Sequence, residues 1–353
     1  MTHQRIQLQR TFQAAIALTV VLLIGSAVQA GAIEYDGQVA ADGTRNPSPL
    51  VTADGVNIVL SYYPGSEGAK SVPVILLHDE KGSRADFRQL ATALQGMGCA
   101  VIVPDLRGHG DSTKRSNSNL PILAARLSPN DYTAMALQDM DAIRKLLWEK
   151  NNEKQLNAEA TCLLGAGLGA SVAVCWTSLD WARAPIGTIR QGQDVKALVL
   201  ISPGWSIRGL PVAQVMNAPA PRFALTDQNL QRVMKKRKVG GNPNPVSPQL
   251  GAFIDHDFRR EAAILMLVGK NNSRTLKDAE RLNTMFEKYQ KDAVEEGNQK
   301  GLFFGAFDTS LQGTKMLGRP ELGIETFIGR FIDKKLVKAG YGWNVRKLNP
   351  YGE

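Results

Sequence analysis

Short continuous apolar runs alternate along the chain with segments in which apolar residues recur at helical spacing. The run Val72–Leu77 is typical of a strand buried on both faces. The residues Leu137, Met140, Ile143 and Leu147 recur every three or four positions and predict an amphipathic helix. Regular alternation of such strands and helices predicts an α/β fold, a mostly parallel sheet flanked by helices.

The same patterns predict elements on both sides of these two. A turn signal at Asp54-Gly55 divides Val51–Tyr63 into two short strands. Further strands are predicted at Cys99–Val103, Ala160–Leu164, Val195–Ile201, Ala262–Val268 and Leu302–Phe307. Helices are predicted at Ala85–Met97, Leu168–Leu179, Leu276–Tyr289 and Leu322–Leu336.

The first thirty residues have the pattern of a secretory signal peptide. Arg5 and Arg10 form a short basic region, the apolar run Ala14–Ile24 follows, and Val28-Gln29-Ala30 places small residues before a cleavage site after Ala30. The apolar run is short for a transmembrane span. We therefore expect an exported protein, periplasmic or secreted, and keep an uncleaved N-terminal membrane anchor as the alternative.

The remaining chain is interpreted as an arm and one domain. Residues 31–50, rich in Gly, Asp, Asn and Pro, are expected to form an extended N-terminal arm. Residues 51–353 form the domain, with an excursion from the sheet at about 204–261, where no strong strand pattern occurs. Export implies an oxidising compartment, but Cys99, Cys162 and Cys175 all lie in apolar runs, so we expect three unpaired core residues.

Composition and charge exclude several classes of protein. Hydrophobic residues make up 43% and charged residues 21% of the 353 positions, which excludes extensive disorder and fibrous architectures. The net charge is +9, or +7 without the two arginines of residues 1–30. The basic run Lys235–Lys238 is interpreted as a solvated helix end, with an acidic polymer or membrane surface as the alternative partner. No nucleic-acid signature accompanies it, and no cofactor or metal is predicted.

Four ordered motifs make the chain resemble the α/β-hydrolase fold family. Val74–His78 is similar to the third strand of the family and the His that opens the oxyanion loop. Pro104–Ser112 is similar to the turn after the fourth strand, Leu163–Gly169 to the nucleophile elbow, and Leu265–Gly269 to the strand before the catalytic acid. The resemblance covers roughly residues 51–337 and implies a Ser–acid–His triad at the carboxyl ends of the strands.

The elbow position of the nucleophile holds glycine. The family pattern is G-x-S-x-G, in which small flanking residues let a sharp strand-to-helix turn close. Here Gly165 and Gly169 keep the flanking glycines, but the central residue is Gly167. Glycine has no side chain with which to attack a carbonyl.

The acid and base positions also depart from the pattern. The acid position corresponds to Asn272, whose amide cannot stabilise an imidazolium by charge. The base position corresponds best to Gln312, which cannot accept a proton near neutral pH. The four His residues stand at positions 3, 78, 109 and 256, so none follows the acid position.

The oxyanion loop is unusual as well. His78 is followed by Asp79-Glu80 where the family often has glycine, and two carboxylates disfavour a developing oxyanion. The backbone N–H of Leu168 is the second oxyanion-hole equivalent. His78 is expected to anchor this loop by hydrogen bonds.

Other residues could replace the missing groups. Ser171, one helical turn past the elbow, and Ser202, at the end of a strand, are the alternative nucleophiles, with His78, His109 or His256 as base. For each, a structural role is the preferred interpretation. The function favoured by the sequence is a non-catalytic binding or scaffold protein of this fold. The alternatives are an active serine hydrolase with a relocated nucleophile and a carrier of a small apolar ligand.

Overall fold

A single eight-stranded sheet organises the described part of the chain. The computed structural model describes residues 31–116, 118–183, 189–217, 257–295 and 301–347. The strands are β1 (Ile33–Tyr35), β2 (Leu50–Val51), β3 (Asn57–Ile58), β4 (Leu60–Tyr63), β5 (Pro73–Leu77), β6 (Ala100–Pro104), β7 (Thr161–Ala166), β8 (Val195–Ile201), β9 (Ala263–Gly269) and β10 (Leu302–Phe307). Strands β2 and β3 pair separately as a small hairpin.

Helices connect the strands. They are α1 (Arg88–Gly96), α2 (Pro129–Ala134), α3 (Met140–Asn152), α4 (Leu168–Ala182), α5 (Val212–Asn217), α6 (Phe258–Glu261), α7 (Ser273–Glu295) and α8 (Ile324–Ile332). A π-helical turn at Met135–Asp139 joins α2 to α3, and a second at Asp333–Val337 extends α8. The helix predicted around Leu137–Leu147 is therefore divided at its start.

The order of the sheet is β1-β4-β6-β5-β7-β8-β9-β10. Strand β4 runs antiparallel to both β1 and β6, and every pairing from β6 to β10 is parallel. This confirms the predicted α/β class and mostly parallel sheet. Because parallel strands end at one edge, the loops after β5, β7, β8, β9 and β10 converge there.

The central strands of the sheet are buried on both faces, because alternate residues point to opposite sides and each side is covered by helices. In β8, Leu198 and Leu200 belong to one core cluster, whereas Val199 and Ile201 belong to the other. Helices α3 and α4 cover the first face and helices α1 and α8 the second. Full burial of a Leu or Ile side chain contributes roughly 1.5–3 kcal/mol, so the two layers make a large favourable contribution to folding.

Several boundaries refine the sequence predictions. Residues 33–35 of the predicted arm pair with β4 at the sheet edge, so the arm is partly a strand. Residues 218–256 lie outside the described residues. They make up the greater part of the excursion and include Lys235–Lys238 and His256. The division at Asp54-Gly55 is confirmed by the β2–β3 hairpin.

The three cysteines are free and buried, as predicted. Burial raises the pKa of the Cys99 thiol to about 12 and raises the pKa values of the other two thiols as well. All three are therefore unreactive core residues. Within the described ranges, no helix has the length and apolarity needed to cross a membrane.

Candidate functional site

A sharp turn joins β7 to α4 at Gly167. Its backbone has φ +49° and ψ −108°, a conformation that side-chain-bearing residues rarely adopt. The Gly167 N–H donates to the carbonyl of Ile201 at 2.9 Å, which fixes the turn beside β8. The strand-to-helix elbow expected from the sequence is therefore present, with glycine at its apex.

Gly165 and Gly169 permit the close packing that the elbow needs. A Cβ on Gly165 would overlap the backbone of Gly169, and a Cβ on Gly169 would overlap the carbonyl of Leu77 at the end of β5. The Gly169 N–H donates to the His78 carbonyl at 3.1 Å. The start of α4 is thus held directly against the ends of β5 and β7.

The carboxylate of Asp79 lies above the elbow. A Cβ built on Gly167 would overlap this carboxylate, and so would a Cβ built on Gly313, whose φ is +57°. The Asp79 Oδ1 accepts the backbone N–H of Leu168 at 3.3 Å and that of Glu80 at 2.7 Å. Asp79 therefore takes up both the space of a nucleophilic side chain and the N–H that would bind an oxyanion.

Gln312 lies beside this cluster and is held on both sides of its amide. Its Nε2 donates to the Gly269 carbonyl at 2.8 Å, at the end of β9. Its Oε1 accepts the Ser202 hydroxyl at 2.7 Å, and the Ser202 Oγ in turn accepts the Gly313 N–H at 3.0 Å. The network satisfies the buried Ser202 hydroxyl, but it contains no group that could remove its proton near neutral pH.

Asn272, at the position expected for the catalytic acid, caps a helix. Its side chain is exposed, and its Oδ1 accepts the backbone N–H of Thr275 at 3.1 Å. That bond caps the first turn of α7. The structure thus gathers Gly167 and the Gln312-Gly313 step around Asp79, while the Asn272 side chain faces the helix it caps.

His78 and His109 anchor the loop that carries Asp79. The His78 Nε2 accepts the Leu106 N–H at 3.0 Å, and its Nδ1 lies 2.7 Å from the Asp79 carbonyl. Burial lowers the pKa of His78, which favours the neutral ring that these bonds require. The His109 ring bridges the carbonyls of Arg107 and Glu80 at 3.0 and 2.7 Å.

The alternative nucleophiles lack a base in the described residues. No hydrogen bond joins His78 or His109 to Ser171 or Ser202 there. Ser171 is buried inside α4, and its hydroxyl has no hydrogen-bond partner among those residues. Ser202 is buried at the end of β8 with φ +51°, a strained conformation for a residue other than glycine.

The turn around His109 is held by ion pairs of Arg84. The Arg84 guanidinium pairs with Asp105 and, at 2.7 Å, with Asp111. Among the residues that the structure describes, no group of three or more His, Cys, Asp or Glu could hold a metal ion. The carboxylates near His109 are therefore engaged in stabilising the turn.

A sequence comparison identifies the family. The family model described as "alpha/beta hydrolase fold" matches residues 72–300. The chain belongs to the α/β-hydrolase fold family. In this α/β-hydrolase fold, β7, Gly167 and α4 stand where the nucleophile elbow is expected. No curated protein matches the sequence.

Solved structures of similar fold include two esterases and a peptidase. They are an esterase from Pyrococcus furiosus (16% identity, 82% of this chain and 91% of that chain, TM-score 0.46), an esterase from Exiguobacterium antarcticum (18%, 81% and 98%, 0.45) and an acylaminoacyl peptidase from Pyrococcus horikoshii (15%, 82% and 41%, 0.46). Their activities are properties of those proteins.

Two features of the site were not anticipated from the sequence. Asp79 was expected near an oxyanion but not in the space above Gly167, and Ser202 was not expected to bind Gln312. A signal for the first exists, because glycines at both 167 and 313 leave room for a third side chain. The second depends on a pairing between distant loops, which the sequence pattern does not specify.

Proposed function

We propose that this α/β-hydrolase-fold protein is a non-catalytic binding or scaffold protein. The observation that carries the proposal is the position of Asp79, whose carboxylate fills the space above Gly167 and accepts the Leu168 N–H. A substrate carbonyl at this elbow would meet a carboxylate in place of an attacking hydroxyl. The negative charge would also repel the oxyanion that acyl transfer generates.

The other triad positions support the same proposal. The Asn272 side chain is used as a helix cap, and both ends of the Gln312 amide are bound to Gly269 and Ser202. Triad residues contribute to catalysis as a unit, so the proposal does not depend on one substitution alone.

The test is labelling with a fluorophosphonate probe together with assays on ester, lactone and peptide substrates. We expect no labelling of the full-length protein and no turnover above that of heat-denatured protein, with an active serine hydrolase as positive control. The variant Asp79→Gly, which opens the space above the elbow, should also remain unlabelled. A stoichiometric adduct on the wild-type protein would overturn the proposal.

The second candidate function is a serine hydrolase that uses a relocated nucleophile. The positive φ of Ser202, beside the Gln312 amide at the carboxyl edge of the sheet, is the observation that favours it. Mapping of a probe adduct by peptide mass spectrometry separates Ser202 from Ser171. An adduct on Ser202 that disappears in Ser202→Ala would establish this candidate.

A carrier of a small apolar ligand is the remaining alternative. Two cavities among the described residues, of about 320 and 470 Å³, include neither Gly167 nor Gln312 in their lining. Native mass spectrometry of the purified protein tests this alternative, because a carrier would retain a ligand of defined mass.

Export, based on residues 1–30, places the binding or scaffold role outside the cytoplasm in this proposal.

A further inference from the structure

Strand β10 forms one edge of the sheet, and its outward backbone groups have no strand partner among the described residues. The Phe307 carbonyl accepts the Lys270 N–H, at the end of β9, at 2.8 Å. Because the N–H and carbonyl of one strand residue point to the same side, the odd-numbered residues of β10 face β9, and Leu302, Phe304 and Ala306 face outward. No hydrogen bond reaches the N–H or carbonyl groups of these three residues in the described part of the chain. A sheet edge of this kind is a template for a further strand.

Strand β10 lacks the features that usually protect an edge. Natural edge strands are short, carry charged side chains or are interrupted by proline. The opposite edge strand, β1, has three residues and carries Glu34, whereas β10 has six residues, none of them charged and none of them proline. Phe303 and Phe304 point to opposite faces of the sheet and are 38% and 37% exposed. The strand therefore combines open backbone groups with exposed aromatic side chains on both faces.

Helix α8 lies beside β10 and has opposite charges at its two ends. Edge-to-face ring contacts join the helix to the strand, with centroids 5.7 Å apart between Phe307 and Phe327 and 5.9 Å apart between Phe303 and Phe331. The helix therefore runs antiparallel to the strand. Its first turn carries Glu325, and the π-helical turn that extends it carries two lysines. The carboxyl end of β10 thus lies beside an acidic helix start, and the amino end beside a basic helix end.

We propose that β10 is a dimerisation edge, which pairs antiparallel with β10 of a second copy of this chain about a two-fold axis perpendicular to the sheet. Rotation about such an axis keeps each side chain on its own face, so one residue must lie opposite its own counterpart. With Phe304 at the axis, Leu302 lies opposite Ala306 of the second copy. Each outward N–H and carbonyl of these three residues then has a partner across the axis. With Gly305 at the axis, Leu302 would have no strand residue opposite it.

Side-chain size and charge also favour a second copy as the occupant. In the register centred on Phe304, Phe303 lies opposite Gly305 of the second copy, and Leu302 lies opposite Ala306, so each large side chain meets a small one. The two Phe304 rings meet at the axis. The axis also sets the two α8 helices antiparallel on the same face of the joined sheet, with the acidic start of each toward the basic end of the other. An unrelated strand would have to supply all of these features by chance.

Sedimentation of the full-length protein over a wide range of concentrations is the first measurement, and we expect a dimer whose fraction rises with concentration. Ala306→Pro should weaken dimerisation at least about tenfold, because proline removes an outward N–H that bonds only across the axis. Ala306→Ser keeps this N–H and is the matched control, which should dimerise like the wild type. If Ala306→Pro does not fold, Phe304→Lys takes its place, since it sets two like charges at the axis. A monomer at every concentration, or equal dimerisation of the folded edge variant and the control, would overturn the proposal.

A cysteine at the axis tests the register of the two strands. In Phe304→Cys the two copies of this residue form a hydrogen-bonded antiparallel pair with Cα atoms about 5.5 Å apart, which is within the range of a disulfide. The three native cysteines are buried and should not compete. With copper phenanthroline as oxidant, we expect a disulfide-linked dimer on a non-reducing gel. Ala306→Cys is the control, since its two copies would lie about 14 Å apart in this register. Failure of Phe304→Cys to cross-link, or equal cross-linking of Ala306→Cys, would contradict the proposal.

Discussion

At the scale of single residues, the site depends on the relation between Gly167 and Asp79. The glycine supplies a positive φ without steric cost, and its lack of a side chain leaves the room that the carboxylate occupies. The Leu168 N–H, at the first turn of a fifteen-residue helix, then donates to that carboxylate. A negative group is favourable at this position because of the helix dipole.

The substitution Gly167→Ser should therefore destabilise the protein. The positive φ alone costs about 1–3 kcal/mol for a residue with a Cβ, and overlap with Asp79 adds to it. We expect no useful turnover, because Asn272 and Gln312 supply neither a charge nor a base. Chemical denaturation measures the change in the free energy of unfolding.

Two further variants separate strain from overlap. Gly43→Ser has a positive φ of +85° and no atom within 4 Å of its Cβ, so it reports backbone strain alone. In an Asp79→Ala background, Gly167→Ser should cost less than in the wild type. An unchanged or higher denaturation midpoint for Gly167→Ser at equal slope would show that the elbow carries no strain.

At the scale of elements, the periodicity of the sequence predicted most of the sheet. Val195–Ile201 and Leu302–Phe307 were placed to the residue. The first is a nearly continuous apolar run because it is buried on both faces, whereas the second is an edge strand on which Phe303 and Phe304 are exposed. Helix α7 begins at Ser273 rather than Leu276, since the cap at Asn272 determines its start and an apolar pattern does not. The position of the elbow followed from its glycines.

What the sequence did not predict depends on contacts between distant segments. The insertion of Asp79 between Gly167 and Gly313 brings together three loops, and periodicity carries no information on such a meeting. The docking of Arg346 against Asp194 and Glu159 is of the same kind. Both are specific polar contacts, whereas the sheet is specified by repeated apolar positions.

Asn272 provides a test at the scale of helix α7. If its side chain acts as a cap, Asn272→Ala should lower the free energy of unfolding by about 0.5–2 kcal/mol. Asn272→Asp should be neutral or slightly stabilising, because aspartate also caps and favours the positive end of the helix. Thermal or chemical denaturation gives both values.

Asn271, the residue before Asn272, provides the control for the capping variants. Asn271 donates to the exposed Asp308 at 3.0 Å, and Asn271→Ala should change stability by less than about 0.5 kcal/mol. Equal effects of Asn271→Ala and Asn272→Ala would show that the cap does not stabilise α7. Esterase activity gained by Asn272→Asp would instead point to a triad role.

At the scale of the whole molecule, the pattern of residues 1–30 is the basis for proposing that the protein is exported. The basic start, the apolar run and Val28-Gln29-Ala30 predict export and cleavage after Ala30. Protein purified from its native host should therefore begin at or near Gly31 by N-terminal sequencing or intact mass. Recovery of an intact chain with Met1 in the membrane fraction would favour the anchored alternative.

Stability as a function of pH is another property of the whole molecule. Burial and, to a smaller extent, the charge of Asp194 together raise the pKa of Asp180 to about 6. One oxygen of Asp180 accepts the N–H groups of Asp194 and Val195 at 2.8 and 3.1 Å. The other is buried without a hydrogen-bond partner in the described part of the chain. Ionisation of Asp180 in the folded protein is thus disfavoured, because one of its two carboxylate oxygens is buried without a donor in the described part of the chain.

The direction in which Asp180 changes stability with pH follows from how tightly the folded and unfolded chains bind its proton. Between the ordinary pKa of 3.8 and about 6, the folded protein holds this proton more tightly than the unfolded chain does. The contribution of Asp180 to stability is therefore present below pH 3.8 and is lost as the pH rises through about 6. Burial lowers the pKa of His78, which gives a slope of opposite sign below 6.5, so the total pH profile does not isolate Asp180.

The difference in stability between the variant Asp180→Asn and the wild type isolates the contribution of Asp180. Asparagine keeps an oxygen for the Asp194 and Val195 N–H groups but cannot ionise. Relative to the wild type, the variant should gain stability as the pH rises from 4 to 7, by up to about 3 kcal/mol at 1.36 kcal/mol per pKa unit. Denaturant unfolding at a series of pH values measures this difference, with Glu321→Gln as a control for removal of one exposed charge. A difference that is constant with pH would show that Asp180 ionises in the folded protein as readily as in the unfolded chain.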